Sequence, residues 1–394
     1  MTHFRGIRPS PLLAWAFSGI LAFSLVSCGG SSGDNAAVVP PAAQTTTFAV
    51  ALSGDQEVAT PTTTGGVGTG TLTFDPSTLA ISGGITVNGI TATAAHIHQA
   101  DAGANGAVIV GLTESSAGSG NWVVPGGSVL TQAQATALAA GGLYFNVHTA
   151  ANPGGDIRGQ IGRSVFAVSM SPAQEVPINT TTASGTGLMV VDPVTKKFTA
   201  RITLTGMTAT AAHIHNAAIG SNGPVIFPLT ETVPGSGIWA AAADATLTDA
   251  QIALLNAGSL YFNAHSTAFA GGQVRGQIGR NVRTASLNGA QEIPLTYSTA
   301  SGTGILVVDP VTRAASGGIT ISGMTAIAAH IHLAAAGLNG PVIVPLTDAG
   351  GGVFNVPAGS VLSADQFRAY KQGELYFNAH SIANPSGEIR GQIR

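Results

Sequence analysis

His96 and His98 stand one residue apart in the stretch "TATAAHIHQADAGANGAVIVGLT". On a β-strand that spacing puts both imidazoles on one face. Two neutral rings so placed can bind one metal ion or share hydrogen-bonding partners. The stretch returns as "TATAAHIHNAAIGSNGPVIFPLT", with His213 and His215, and as "TAIAAHIHLAAAGLNGPVIVPLT", with His330 and His332. A third histidine follows each pair, at His148, His265 and His380, inside "LYFNVH" or "LYFNAH". Nine of the ten histidines of the chain belong to this pattern.

The elements that carry these residues repeat with them. The pairs recur at a step of 117 residues, and so do Asp75, Asp192 and Asp309. A period that long is a whole domain rather than a solenoid unit. The domains are placed at residues 46–163, 164–280 and 281–394, joined without a long linker and lying end to end. Within each, "GTGTLTFDPSTLAISGGITV" and its copies "GTGLMVVDPVTKKFTARITL" and "GTGILVVDPVTRAASGGITI" read as a hairpin. The Asp-Pro pair forms its turn. One helical segment per copy begins at Thr131, Thr248 or Ser363 as N-cap and ends at glycine. The fold class expected is all-β: three tandem antiparallel sandwiches or barrels, each with one short helix.

Alternation assigns the faces. Ala95 and Ile97 turn toward the core, as do Leu143, Phe145 and Val147, and Ile157 and Ile161. His96 and His98, then Tyr144, Asn146 and His148, then Asp156, Arg158 and Gln160 turn outward. The sister sets include Asn263, Arg275, Asn378 and Arg390. If the three strands are neighbours, three imidazoles meet, and zinc or copper is the cofactor such a set would take. Two other roles stay open, a structural hydrogen-bond network and direct ligand contact. Glu57, Glu175 and Glu292 each follow a glutamine near a domain start, where an ion pair with the arginine of the last strand would tie the unit's ends together. The aspartates of the hairpins read as turn formers.

Composition narrows the function. Charged residues are 8% of the 394, and the net charge is −3. With no lysine/arginine run and few aromatics, nucleic acid is excluded as a partner. There is no nucleophile elbow, P-loop or dinucleotide fingerprint. The only cysteine, Cys28, closes an apolar segment behind Arg5 and Arg8. Residues 1–27 read as a signal peptide. Leu25-Val26-Ser27-Cys28 resembles the bacterial lipoprotein box, which implies cleavage before Cys28 and lipidation of its thiol. Gly29 in place of aspartate resembles the outer-membrane sorting pattern. Residues 28–45, rich in Gly and Ser and then Pro-Pro, read as a flexible tether. The expected setting is the bacterial cell envelope, on the periplasmic or the surface face.

The ordered set "LSGDQEVAT", "SGTG", "VDPVT", "AAHIH", "LYFNAHS" and "GEIRGQI" resembles the chordin-type, or CHRD, domain across nearly the whole of each repeat. The second copy departs from it, with "STAFAGGQVRG" and Gln273 in place of the acid. The resemblance implies an exported protein. The growth-factor antagonism of animal chordins does not carry over to a lipidated bacterial chain. "HIH" on a strand, with a later histidine and arginine, is also similar to part of the copper/zinc superoxide dismutase pattern. Here, however, the cysteine pair and the full bridging ligand set are missing. The reading is a non-enzymatic, lipid-anchored binding, adhesion or scaffold protein with a protein or polysaccharide ligand. The alternative is a zinc- or copper-binding protein on three-histidine sites, with dismutase-like redox chemistry.

Overall fold

The computed structural model describes residues 44–58 and 61–394. The expected signal peptide, most of the tether and Cys28 lie outside the described residues. In the first domain β1 (Thr46–Ser53), β2 (Val67–Phe74) and β3 (Ile81–Asn88) form a meander. Next come β4 (Ala92–Gln99), β5 (Ala107–Gly111), β6 (Thr113–Glu114) and β7 (Asn121–Val123). Helix α1 (Gln132–Ala140), β8 (Leu143–Thr149) and β9 (Ile157–Gln160) complete the unit. The strand order is β5-β4-β8-β9-β1-β2-β3-β7-β6. Because β5 and β6 are separated only by Leu112, the sheet closes into an antiparallel barrel. In the second domain the same two pieces are one strand, Val225–Glu231. The three domains are all-β barrels with one short helix each, as the alternation implies.

The hairpin turns form as the aspartates dictate. Asp75 accepts from the Ser77 N–H at 2.8 Å. Asp192 and Asp309 each accept two backbone N–H groups from the residues that follow. Thr131, Thr248 and Ser363 all cap their helices, and each makes a reciprocal capping box with the glutamine three residues on.

The barrel interiors are apolar. Leu52, Leu72, Ile97, Phe145, Val147, Ile157 and Ile161 are fully buried in the first. Glycine within the second strand of the sister domains makes room for an aromatic ring. A Cβ at Gly187 would lie 2.8 Å from the Phe262 ring, and one at Gly304 2.7 Å from Phe377.

The domains do not form a simple string. Each joint is held by an ion pair across it, Arg163 to Asp192 at 3.4 Å and Arg280 to Asp309 at 3.2 Å. The first domain also reaches the third. Asp55 pairs with Lys371 at 2.6 Å and accepts from Asn281 at 3.0 Å, with Asp55 and Lys371 largely buried. Gly65 packs so closely on the start of the third helix that a Cβ would lie 1.9 Å from the Ala364 carbonyl oxygen. All three barrels belong to one compact unit.

Candidate metal centre

Strands β4, β8 and β9 are hydrogen-bonded neighbours, with His96 opposite Asn146, His98 opposite Tyr144 and Asn146 opposite Arg158. The pairing brings His96, His98 and His148 together. Ligand nitrogens of the three rings lie within 4.8 Å of one another, and so do those of His213, His215 and His265 and of His330, His332 and His380.

The hydrogen bonds decide which nitrogens are free. His98 Nδ1 lies 3.0 Å from the Gly106 carbonyl and His148 Nδ1 lies 3.0 Å from the Pro153 carbonyl. A carbonyl only accepts, so both Nδ1 atoms carry the proton and both Nε2 atoms keep a lone pair. His98 Nε2 is buried and has no partner. His96 Nδ1 lies 3.0 Å from His148 Nε2, to which it donates. A metal ion would take the place of that shared proton. The separation is close to the edge of about 3.3 Å expected between two nitrogen ligands of tetrahedral zinc. The pattern repeats: His215 with Gly223 and His332 with Gly340, both at 2.9 Å, and His265 with Ala270 at 3.0 Å and His380 with Pro385 at 3.1 Å.

Burial pushes the pKa of His96 and His98 below the imidazole norm, and the neighbouring His148 adds to the effect. His213, His215, His265, His330, His332 and His380 shift the same way with burial as the first cause. Neutral rings are the form that binds metal.

Behind the histidines lies a stack. Tyr144 packs face to face with His98, and the Arg158 guanidinium sits 3.4 Å above the centre of the opposite face of Tyr144. The Tyr144 hydroxyl accepts from the Gly106 N–H at 3.1 Å, so one residue's two backbone groups fix both Tyr144 and His98. Arg158 donates to the Ala104 and Asp101 carbonyls, and Gln160 donates to those of Ala100 and Gly141.

This corrects one expectation. Asp156, Arg158 and Gln160 point away from the barrel core but not into solvent. Arg158 is 1% exposed, because the loop at residues 100–106 folds over the face and the guanidinium satisfies its carbonyls. A second expectation also fails. Glu57 and Arg158 do not form an ion pair, since the arginine is committed to the loop and to Tyr144. Burial instead raises Glu57, Glu175 and Glu292 to about 7. Glu292 accepts from Asn378 Nδ2 at 3.3 Å, and one oxygen of each glutamate has no partner.

The departure in the second domain leaves its histidines intact. The acceptor for His265 is a backbone carbonyl, which Ala270 supplies as well as proline does. The acid missing at Gln273 serves the loop elsewhere: Asp156 accepts from Thr149 at 2.6 Å and from Asn152 at 3.0 Å. Sequence reasoning missed the role of Gly106. Its signal is an Asn-Gly pair after each histidine pair, at 105–106, 222–223 and 339–340. A Cβ at Gly106 would lie 1.8 Å from the Gln99 carbonyl oxygen, so only glycine fits.

The CHRD domain family matches residues 48–161, 166–278 and 283–393. The chain belongs to the CHRD domain family. No curated protein and no solved structure matches it. The three matches cover the three barrels, so each CHRD domain here carries one histidine triad, one Tyr–Arg stack and a buried glutamate near its start, Glu57, Glu175 or Glu292.

Proposed function

We propose that this CHRD-domain scaffold is a metal-binding protein, taking one zinc or copper ion per domain on the three histidines. The observation that carries the reading is the convergence of the same three imidazoles in all three domains. In each, two of the rings have their tautomer fixed by a backbone carbonyl. The partners that fix those rings are of the kind that orient ligands in metal centres. Three nitrogens leave an open coordination position for an exchangeable ligand, so the ions can serve as contact points for a protein or polysaccharide. In this reading the protein is exported, held to the bacterial envelope by a lipid on Cys28, and acts by binding rather than turnover.

Elemental analysis tests the metal. Residues 44–394, made without a histidine tag in cells supplied with zinc and copper, should carry about three equivalents of a transition metal. Replacing His98, His215 and His332 together should remove them. A metal-free protein that takes up neither ion on titration would leave the triads as hydrogen-bonding parts of the barrel and end the proposal. Labelling cells with a tagged fatty acid tests the anchor. Label that persists in the C28S variant would refute it.

A further inference from the structure

The two seams between successive domains use the same surfaces. At the first, the loop at residues 100–106 meets the second strand of the next domain, where a Cβ on Gly103 would lie 2.9 Å from Leu188. At the second, Ile219 and Gly220 stand where Ala102 and Gly103 stand, and Ile305 stands where Leu188 stands. These residues, with Glu175 to Ile178 below and Gly317 to Thr320 opposite, enclose a cleft of about 640 Å³.

The third domain presents the lower half of that seam again, uncovered by any described residue. Ala336 and Gly337, with Glu292, Ile293, Arg390 and Gln392, border a groove of about 580 Å³ lined by the third domain alone. Its "QEIP" matches the "QEVP" that borders the second seam. The first domain presents the upper half. Its "SGGIT" at residues 82–86 is identical to residues 316–320, the segment that faces the second domain's loop, whereas the second domain has Ala200-Arg201 in place of the glycine pair. In the first domain Thr71 and Gly83 are exposed, while Ile305 and Gly317 are partly buried and Gly318 is buried at the covered seam.

We propose that the groove on the third domain receives the β2–β3 face of the first domain of a second copy of this chain, repeating the seam between the second and third domains. The contact is heterologous, so it propagates head to tail unless the rotation closes a ring. Thr71 replaces Ile305 and Ala336 replaces Ile219, so the new seam buries less apolar surface than the one inside the chain. Association is therefore weak and reversible, and it grows with concentration.

Residues 44–394 contain no cysteine and all three cores, which makes the test direct. Chains carrying Thr71→Cys and chains carrying Ala336→Cys are mixed and oxidised at high concentration, and one chain carrying both is treated the same way. The expected result is a dimer from the mixture and a ladder from the double variant, with little product from either single variant alone. Sedimentation of the unmodified protein should show mass rising with concentration, and A336R should abolish the rise. Mass independent of concentration with no ladder would overturn the proposal. So would equally strong self-linking of the Thr71→Cys chain, which would mark a symmetric contact instead.

Discussion

Tyr144 and His98 lie ring on ring, with centroids 5.0 Å apart and planes 17° from parallel. His215 and Tyr261, and His332 and Tyr376, repeat the relationship at 5.0 Å and 4.8 Å. The stack sets the plane of an imidazole whose Nε2 has no other partner, and the tyrosine hydroxyl anchors the glycine that sets its tautomer. The orientation of His98 therefore rests on a residue that would itself touch no metal in the proposed site.

Tyr144→Phe keeps the ring and removes the hydroxyl, leaving the Gly106 N–H without its acceptor. Metal affinity of the first domain should fall by about 10-fold, and stability by about 1 kcal/mol. Competition with a chromogenic chelator reads the affinity. Unchanged affinity would mean that Gly106 holds His98 without help from the tyrosine.

The triads sit in separate barrels, so they should load separately. His98→Ala should lower the metal content from about three equivalents to about two. It should also remove only part of the rise in melting temperature that zinc gives. Loss of all metal from this single variant would show that the sites are not independent.

The raised glutamates give the metal-free protein a recognisable pH response. Glu57, Glu175 and Glu292 titrate near 7 when folded, against 4.5 for an ordinary glutamate. The folded state thus holds more protons between those values, and their contribution to stability falls as pH rises from 4.5 to above 7. The depressed histidines work the other way, losing stability as pH falls below 6.5. Replacing the three glutamates with glutamine should flatten the decline toward neutral pH and leave the acid-side loss in place. Denaturant melts at a series of pH values measure both arms, and an unaltered decline in the variant would contradict the assignment.

The contact between the first and third domains should be breakable without damage to either core. Gly65→Val puts a side chain into the backbone at Ala364, and Lys371→Met leaves Asp55 with Asn281 as its remaining partner. The lysine variant should lose about 1–3 kcal/mol, below the cost of breaking a fully buried pair. Both should expand the particle in small-angle X-ray scattering while metal content stays constant. Unchanged scattering from both would place the strength of the contact elsewhere.

The sequence carries most of the site on its surface. A period of 117 and the alternation of "AAHIH", "LYFNVH" and "DIRGQI" put His96, His98, Asn146, His148 and Arg158 on the non-core side of their strands, and the barrel then makes those strands neighbours. The cover over that side was not legible. It depends on Arg158 and Gln160 reaching backbone carbonyls at residues 100–104, and carbonyls leave no mark in side-chain sequence. The link from Asp55 to Lys371 was hidden for a different reason. Repeat comparison finds what the domains share, and Asp55 is matched by Ala173 and Ala290. The expected glutamate–arginine pair failed because the arginine had nearer partners in Tyr144 and the loop.

The link from Asp55 to Lys371, together with joints that have no linker, makes the three histidine triads one fixed constellation. With the proposed ions in place, an extended partner with several donor groups would give up its freedom of motion at the first ion and meet the second at high effective concentration. Domains on loose linkers would spread that gain across many geometries. In this unit only a partner whose donor spacing matches the distance between triads could collect it, so span would become a selection criterion alongside the chemistry of any single ion.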